Sequence, residues 1–108
     1  MKKDLFSLNG KVVVITGAAG LLGCQHADAV ASFGGSPVLL DLDKVLLEDQ
    51  AIELNAKYGV DAVSYVVDIT SEKEVEQNCK DVVGRYGKID ALVNNAANNP
   101  KIENSDTK

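Results

Sequence analysis

The stretch Val12-Val13-Val14-Ile15-Thr16-Gly17-Ala18-Ala19-Gly20-Leu21-Leu22-Gly23 decides how the rest of this chain is read. The run from Lys11 to Ile15 is β-branched without polar alternation, as expected of a strand covered on both faces in a parallel sheet. Glycines at 17, 20 and 23 follow it and open an Ala-rich segment of helical character. Glycines let backbone approach a ligand closely, while the first-turn N–H groups and the helix dipole supply positive field. Strand, glycine turn and helix N-terminus in that order form a seat for a pyrophosphate. The spacing is G-x-x-G-x-x-G rather than G-x-G-x-x-G, so the flanking elements carry as much of the reading as the glycines.

Working outward, strand-like and helix-like segments alternate. A helix is expected from about Gly20 to Phe33, stopped by Gly34-Gly35, with a small face of Gly23, Ala27 and Val30. Val38 to Asp41 forms a second strand, with Pro37 at its start, where a missing N–H does least harm. A second helix runs from about Asp43 to Tyr58, its apolar stripe made by Leu47, Ala51, Leu54 and Tyr58, and Gly59 ends it. Ala62 to Asp68 is a third strand. Ser71 and Glu74 make a capping box for a third helix, whose buried face is Val75, Cys79, Val82 and Tyr86. Ile89 to Val93 is a fourth strand, leading into Asn94-Asn95-Ala96-Ala97.

This order predicts an α/β fold: a doubly wound parallel sheet of about four strands, order 3-2-1-4, with three helices and right-handed crossovers. Residues 1–97 would form one dinucleotide-binding domain, and 98–108 a polar tail or truncated loop with Ile102 as its one large apolar residue. The open fourth strand offers an unpaired edge through which copies could self-associate.

Composition narrows the function classes. One hundred and eight residues suffice for a single core. The net charge of −5 argues against a nucleic-acid surface. No apolar stretch approaches the ~20 residues of a membrane helix, and the start Met1-Lys2-Lys3-Asp4-Leu5-Phe6 lacks the apolar core of a signal peptide. Two distant cysteines, Cys24 and Cys79, read as free thiols of a reducing compartment, so the cytoplasm is the expected location. A single histidine, His26, excludes the usual metal-ligand spacings.

Asp41 closes the second strand eighteen positions after Gly23, about where an acid meets an adenosine ribose. A carboxylate there accepts from the 2′- and 3′-hydroxyls and repels a 2′-phosphate. No arginine follows, and the nearest cation is Lys44, so NAD is favoured over NADP. Asp43 is better placed than Asp41 to cap the next helix. Asp68, closing the third strand, suits either the adenine amino group or the turn that follows. Asn94 and Asn95 suit either strand tying or a ribose contact. Cys24 lies near a helix N-terminus, where a thiolate is favoured, yet small-residue packing explains it as well. Cys79 falls on the apolar stripe and reads as core.

Together, Thr16-Gly17-Ala18-Ala19-Gly20-Leu21-Leu22-Gly23, Asp41, Asp68-Ile69-Thr70 and Asn94-Asn95-Ala96-Ala97 resemble the short-chain dehydrogenase/reductase family, over about residues 8 to 100. The loop spacing is similar to that of the family's extended branch, the epimerases and dehydratases; Asn-Asn-Ala-Ala resembles the Asn-Asn-Ala-Gly of the shorter branch. The resemblance implies a Rossmann-type fold with backbone around Gly17, Ala19, Gly20, Leu22 and Gly23 near the pyrophosphate. It implies Asp41 at the adenosine ribose, Asp68 and Ile69 at the adenine, and Asn94 and Ala96 toward the nicotinamide ribose. It further implies hydride transfer between an alcohol or carbonyl substrate and the nicotinamide, with a Tyr-x-x-x-Lys pair as acid/base. Tyr58, Tyr65 and Tyr86 are followed four residues later by Ala62, Ile69 and Asp90, so no catalytic residue is assigned. A tyrosine with its usual pKa near 10 is a poor base at neutral pH. The expectation is the NAD-binding N-terminal portion of a short-chain-type oxidoreductase, inactive alone; the alternatives are a non-catalytic NAD-binding or interaction module, or the front half of an epimerase or dehydratase.

Overall fold

The computed structural model describes residues 5–95. Ala96, the boundary at 97 and the segment 98–108 lie outside the described residues. The elements alternate as the sequence suggests: β1 (Val12–Thr16), α1 (Leu21–Ser32), β2 (Ser36–Asp41), α2 (Lys44–Tyr58), β3 (Val63–Val66), α3 (Glu72–Tyr86) and β4 (Ala91–Val93). The four strands form one parallel sheet in the order β3-β2-β1-β4.

Every residue of β1 is buried, because the strand sits inside the sheet with helices on both faces. Val13 and Ile15 point to one side, where Ala27, Val30 and Ala31 of α1 and Leu47, Ala51 and Leu54 of α2 pack with Leu39. Val12 and Val14 point to the other, joining Val38, Leu40, Val67 and Val82 of α3. The small face of α1 lets that helix lie close on the strands. Asp43 caps α2, its carboxylate accepting from Leu46 N–H, and Gly59 closes that helix in the left-handed conformation. Asn55 holds the turn beyond by a reciprocal pair: its Nδ2 donates to Ala62 O (3.0 Å) and its Oδ1 accepts from Ala62 N–H (2.6 Å).

Four local expectations are corrected. Pro37 is the second residue of β2, buried opposite Val13, and Ser36 begins the strand by donating to Lys11 O. β3 and β4 are shorter than their apolar runs, because pairing covers only four and three residues. The capping box is half formed: Ser71 Oγ accepts from Glu74 N–H at 3.3 Å, while the Glu74 carboxylate accepts from Asp68 N–H at 2.9 Å. The buried residues of α3 are Asn78 and Val82; Cys79 is exposed and Val75 is 36% exposed. The stripe 75-79-82-86 is real as a pattern, but α3 meets the sheet along one edge of it, and the other edge faces outward beside β4.

Candidate functional site

The turn after β1 is built from three glycines present for three different reasons. Gly17 has φ +65°, a conformation that penalises a side chain. A Cβ on Gly23 would collide with the carbonyl oxygen of Gly17 and come within 2.8 Å of Ala18 Cα, so α1 leans directly on the strand end. Gly20 needs neither: a Cβ there would meet only Gly17 O, at an ordinary 3.5 Å. The bare surface at Gly20 is therefore what a group approaching from outside requires. Gly20 is also the N-cap of α1, with no side chain bonded to the helix end. The first-turn N–H groups of Leu21, Leu22 and Gly23 have no acceptor within the helix. Leu21 and Leu22 project outward, 81% and 55% exposed.

Neighbouring elements hold this turn in shape. From β2, Leu40 O accepts from Ala18 N–H (3.1 Å), and Asp41 Oδ2 accepts from Ala19 N–H (2.9 Å). Asp41 Oδ1 accepts from Leu42 N–H (2.7 Å), so each carboxylate oxygen holds one backbone donor. From α1, the Cys24 thiol donates to Ala18 O (3.5 Å). Burial pushes the pKa of that thiol up, with Glu53 and Asp41 adding to the effect, so Cys24 is a protonated donor rather than a thiolate. From β4, Asn95 Nδ2 donates to Gly17 O (3.3 Å), and Asn95 N–H donates to Thr16 Oγ1 (2.9 Å). The Thr16 hydroxyl lies 3.2 Å from Asn94 Oδ1 and 3.4 Å from Val93 O.

The structure thus gathers Gly17, Ala19, Gly20, Leu22, Gly23, Asp41 and Asn94 around one turn at the carboxyl ends of β1, β2 and β4. Ala19 contributes through its bond to Asp41, which leaves the helix amides as the outward-facing donors. Asp68 sits one strand further over and is engaged locally: its Oδ1 accepts from Thr70 Oγ1 (2.6 Å) and Thr70 N–H (2.9 Å). Those two bonds, the side-chain one first, hold its carboxyl below the usual carboxylate range. Ile69 is half-buried and lines, with Thr16, Leu40 and Asn94, a cavity of about 350 Å³ beside α3. Ala96 lies outside the described residues.

Sequence reasoning missed the Thr16 hydroxyl as a contributor to the turn; of the two roles open to Asn95 the structure shows the tie to the β1 end, and Cys24, read as packing or a thiolate position, donates to Ala18 O. Thr16 was visible as the polar end of an otherwise apolar strand. The division of labour between Asn94 and Asn95 depends on which side of β4 each faces, and nothing in their spacing encodes that. Tyr86 is turned away from the turn, its hydroxyl donating to Asp61 O (2.6 Å), and burial raises its pKa, opposite to what a general base requires. Among the described residues no group of three or more His, Cys, Asp or Glu side chains could hold a metal, and no helix is long and apolar enough to cross a membrane.

Comparison with known proteins agrees with this geometry. The family model described as short chain dehydrogenase matches residues 11–108. An NADP-dependent mannitol dehydrogenase of Aureobasidium melanogenum is 38% identical over 96 residues, covering 86% of this chain and 36% of that protein. The crystal structure of an NAD+-bound xylitol dehydrogenase superposes with a TM-score of 0.75 at 41% identity, covering 79% of this chain and 32% of its own. L-sorbose reductase from Gluconobacter frateurii, complexed with NADPH and L-sorbose, gives a TM-score of 0.81 at 32% identity, covering 93% of this chain and 39% of its own. The chain spans about a third of the length of the curated relatives it matches. With a family match over nearly its whole length and the β3-β2-β1-β4 parallel sheet to go with it, this chain belongs to the short-chain dehydrogenase family.

Proposed function

We propose that residues 1–97 form the dinucleotide-grasping unit of a nicotinamide-dependent oxidoreductase. The observation that carries this reading is the bare surface at Gly20, which neither backbone conformation nor packing demands and which lies at the uncapped end of α1. The first-turn amides of α1 would meet the pyrophosphate, Asp41 the adenosine ribose, Asp68 and Ile69 the adenine, and Asn94 and Ala96 the region toward the nicotinamide ribose. When bound, the nicotinamide gives or takes hydride from an alcohol or carbonyl group. This chain's residues bind and orient it. None of its tyrosines has a lysine four residues on, so turnover by the chain alone is not expected.

NAD is the proposed cofactor, on the charge of Asp41 and the lack of an arginine beside it. The relatives include both kinds: the mannitol dehydrogenase is NADP-dependent and the xylitol dehydrogenase is NAD+-bound. The carboxylate of Asp41 has about four lone-pair sites and gives one to each of two amides, so acceptor capacity remains for a ribose diol. That the named relatives are dehydrogenases and reductases favours oxidoreductase chemistry over the epimerase or dehydratase alternative. A cytoplasmic setting accords with the two free thiols.

Parallel calorimetric titrations of the folded chain with NAD and NADP test the proposal. Saturable heat with NAD at millimolar concentration and weaker binding of NADP are expected, and Asp41→Asn should narrow that difference by removing the charge that faces a 2′-phosphate. No heat with either dinucleotide would overturn the binding reading. Tighter NADP binding would overturn the preference alone.

A further inference from the structure

Asp41 is bonded directly to the glycine turn. Its Oδ2 accepts from Ala19 N–H at 2.9 Å, an amide that belongs to the turn, while Oδ1 is anchored at 2.7 Å on Leu42 N–H, next to it in its own chain. The carboxylate is thereby fixed at one end and grips the turn with the other. The Ala18–Ala19 segment it grips is also held by Leu40 O on Ala18 N–H and by the Cys24 thiol on Ala18 O. Among these contacts only the Asp41 bond is charge-assisted, the stronger class of hydrogen bond. One residue further on, Gly20 N–H closes back on Gly17 O at 3.2 Å and the outward-facing amides of α1 begin. Turning Ala19 N–H away from β2 would reorient the Ala18–Ala19 peptide, one unit before the peptide that carries Gly20 N–H, and with it the approach to the helix end.

We propose that Asp41 is a positioning residue for the phosphate seat: by clamping Ala19 N–H it sets the turn that receives the diphosphate, independently of any contact with a ribose. This rests on the dinucleotide reading for its ligand, but the clamp itself is a bond between two segments of the chain. The two roles predict opposite signs for a ligand that has phosphates and no ribose. A carboxylate acting only on the ribose would repel inorganic pyrophosphate, so removing it would leave that anion's binding unchanged or tighter. A carboxylate acting as a clamp makes pyrophosphate binding weaker when it is removed, although a negative charge has been lost.

The experiment compares the full chain with Asp41→Ala, Asp41→Ser and Asp41→Asn. Amide hydrogen exchange is measured without ligand, and inorganic pyrophosphate is the probe titrated. In Asp41→Ala the Ala19 amide is expected to exchange at least tenfold faster, with Val14 in the core strand unchanged as the folding control. Its pyrophosphate affinity should fall several-fold. Asp41→Asn keeps an acceptor oxygen at the same reach and should restore both readouts; Asp41→Ser keeps polarity without the reach and should behave as alanine. If the Ala19 exchange rate is unmoved in alanine and serine variants, or if pyrophosphate binds them as tightly as the parent, the clamp is refuted. If alanine does not fold, serine and asparagine decide the same question. Should the parent chain bind neither NAD nor pyrophosphate, the dinucleotide proposal fails and, with it, the phosphate-seat role, while Ala19 exchange still separates a clamp from no clamp.

Discussion

The two faces of the sheet start from the same strand and finish differently. On one, Val13, Ile15 and Leu39 are covered by both α1 and α2, with Ile15, Leu39 and Leu47 entirely excluded from solvent. That face is also tied across its two helices, where Tyr58 Oη donates to Asp28 Oδ1 at 2.8 Å. On the other, α3 covers the β3 side, but past it Leu92 is 61% exposed and Val75 36% exposed, both lining a cavity of about 350 Å³. The buried Nδ2 of Asn78 borders that cavity with no partner among the described residues. Both faces use the same apolar residue types. Among the described residues, what separates them is the number of helices laid on each, so an apolar pattern marks a surface as needing cover without naming what covers it.

The largest expected effects lie on the closed face. Leu47→Ala removes a fully buried side chain and should cost about 3 kcal/mol, within the usual range for such cavities. Gly23→Ala forces a methyl into the Gly17 carbonyl and should cost about 2 kcal/mol as overpacking of backbone that cannot move aside. Urea unfolding followed by far-ultraviolet circular dichroism checks both. On the open face the same measurement on Leu92→Lys should show a change within about 0.5 kcal/mol, as for a surface position. Its effect should appear instead in solution state: the parent chain is expected to self-associate through the β4 edge, and the lysine to weaken that in sedimentation at rising concentration. A Leu92→Lys variant as destabilised as Leu47→Ala would erase the distinction between the faces.

This contrast also explains how far the sequence could be read. The order of elements and of strands followed from β-branched runs alternating with helical stripes, and Leu47, Ala51 and Leu54 fell where their spacing put them. The stripe of α3 was equally regular, yet Val75 and Cys79 stand outside the core, because periodicity reports a face and not its partner. At the glycine turn, residue types and order located the region proposed to bind the dinucleotide. They did not reveal that Asp41 bonds Ala19, since that contact joins two chain segments twenty-two residues apart. Asp68 shows the converse: a residue suited equally to a ligand and to a turn is held by Thr70, two residues away.

The smallest effect concerns the edge where the two faces meet β4. Asp90 N–H donates to Val12 O, and Val12 N–H donates back to Asp90 Oδ2 at 2.8 Å, so this side chain extends the β1–β4 pairing by one reciprocal step. The Val12 bond first, then Lys88 at 3.0 Å, holds the Asp90 carboxyl below its ordinary value. A carboxyl depressed in the folded state contributes stability above its unfolded value, about 3.9, and loses it as pH falls through the lower folded-state value. Stability of the parent should therefore drop on acidification from about pH 4 downward. Asp90→Asn, which keeps an acceptor for Val12 N–H but cannot titrate, should start slightly less stable than the parent at neutral pH and lose part of that acid sensitivity, so that the two profiles converge in acid. Asp68 contributes a slope of the same sign, so the variant's profile is expected to flatten and not to become level. An unchanged acid slope in Asp90→Asn would mean that β4 is held by its strand pairing alone, and that the open edge is less dependent on this side chain than the closed face is on Leu47.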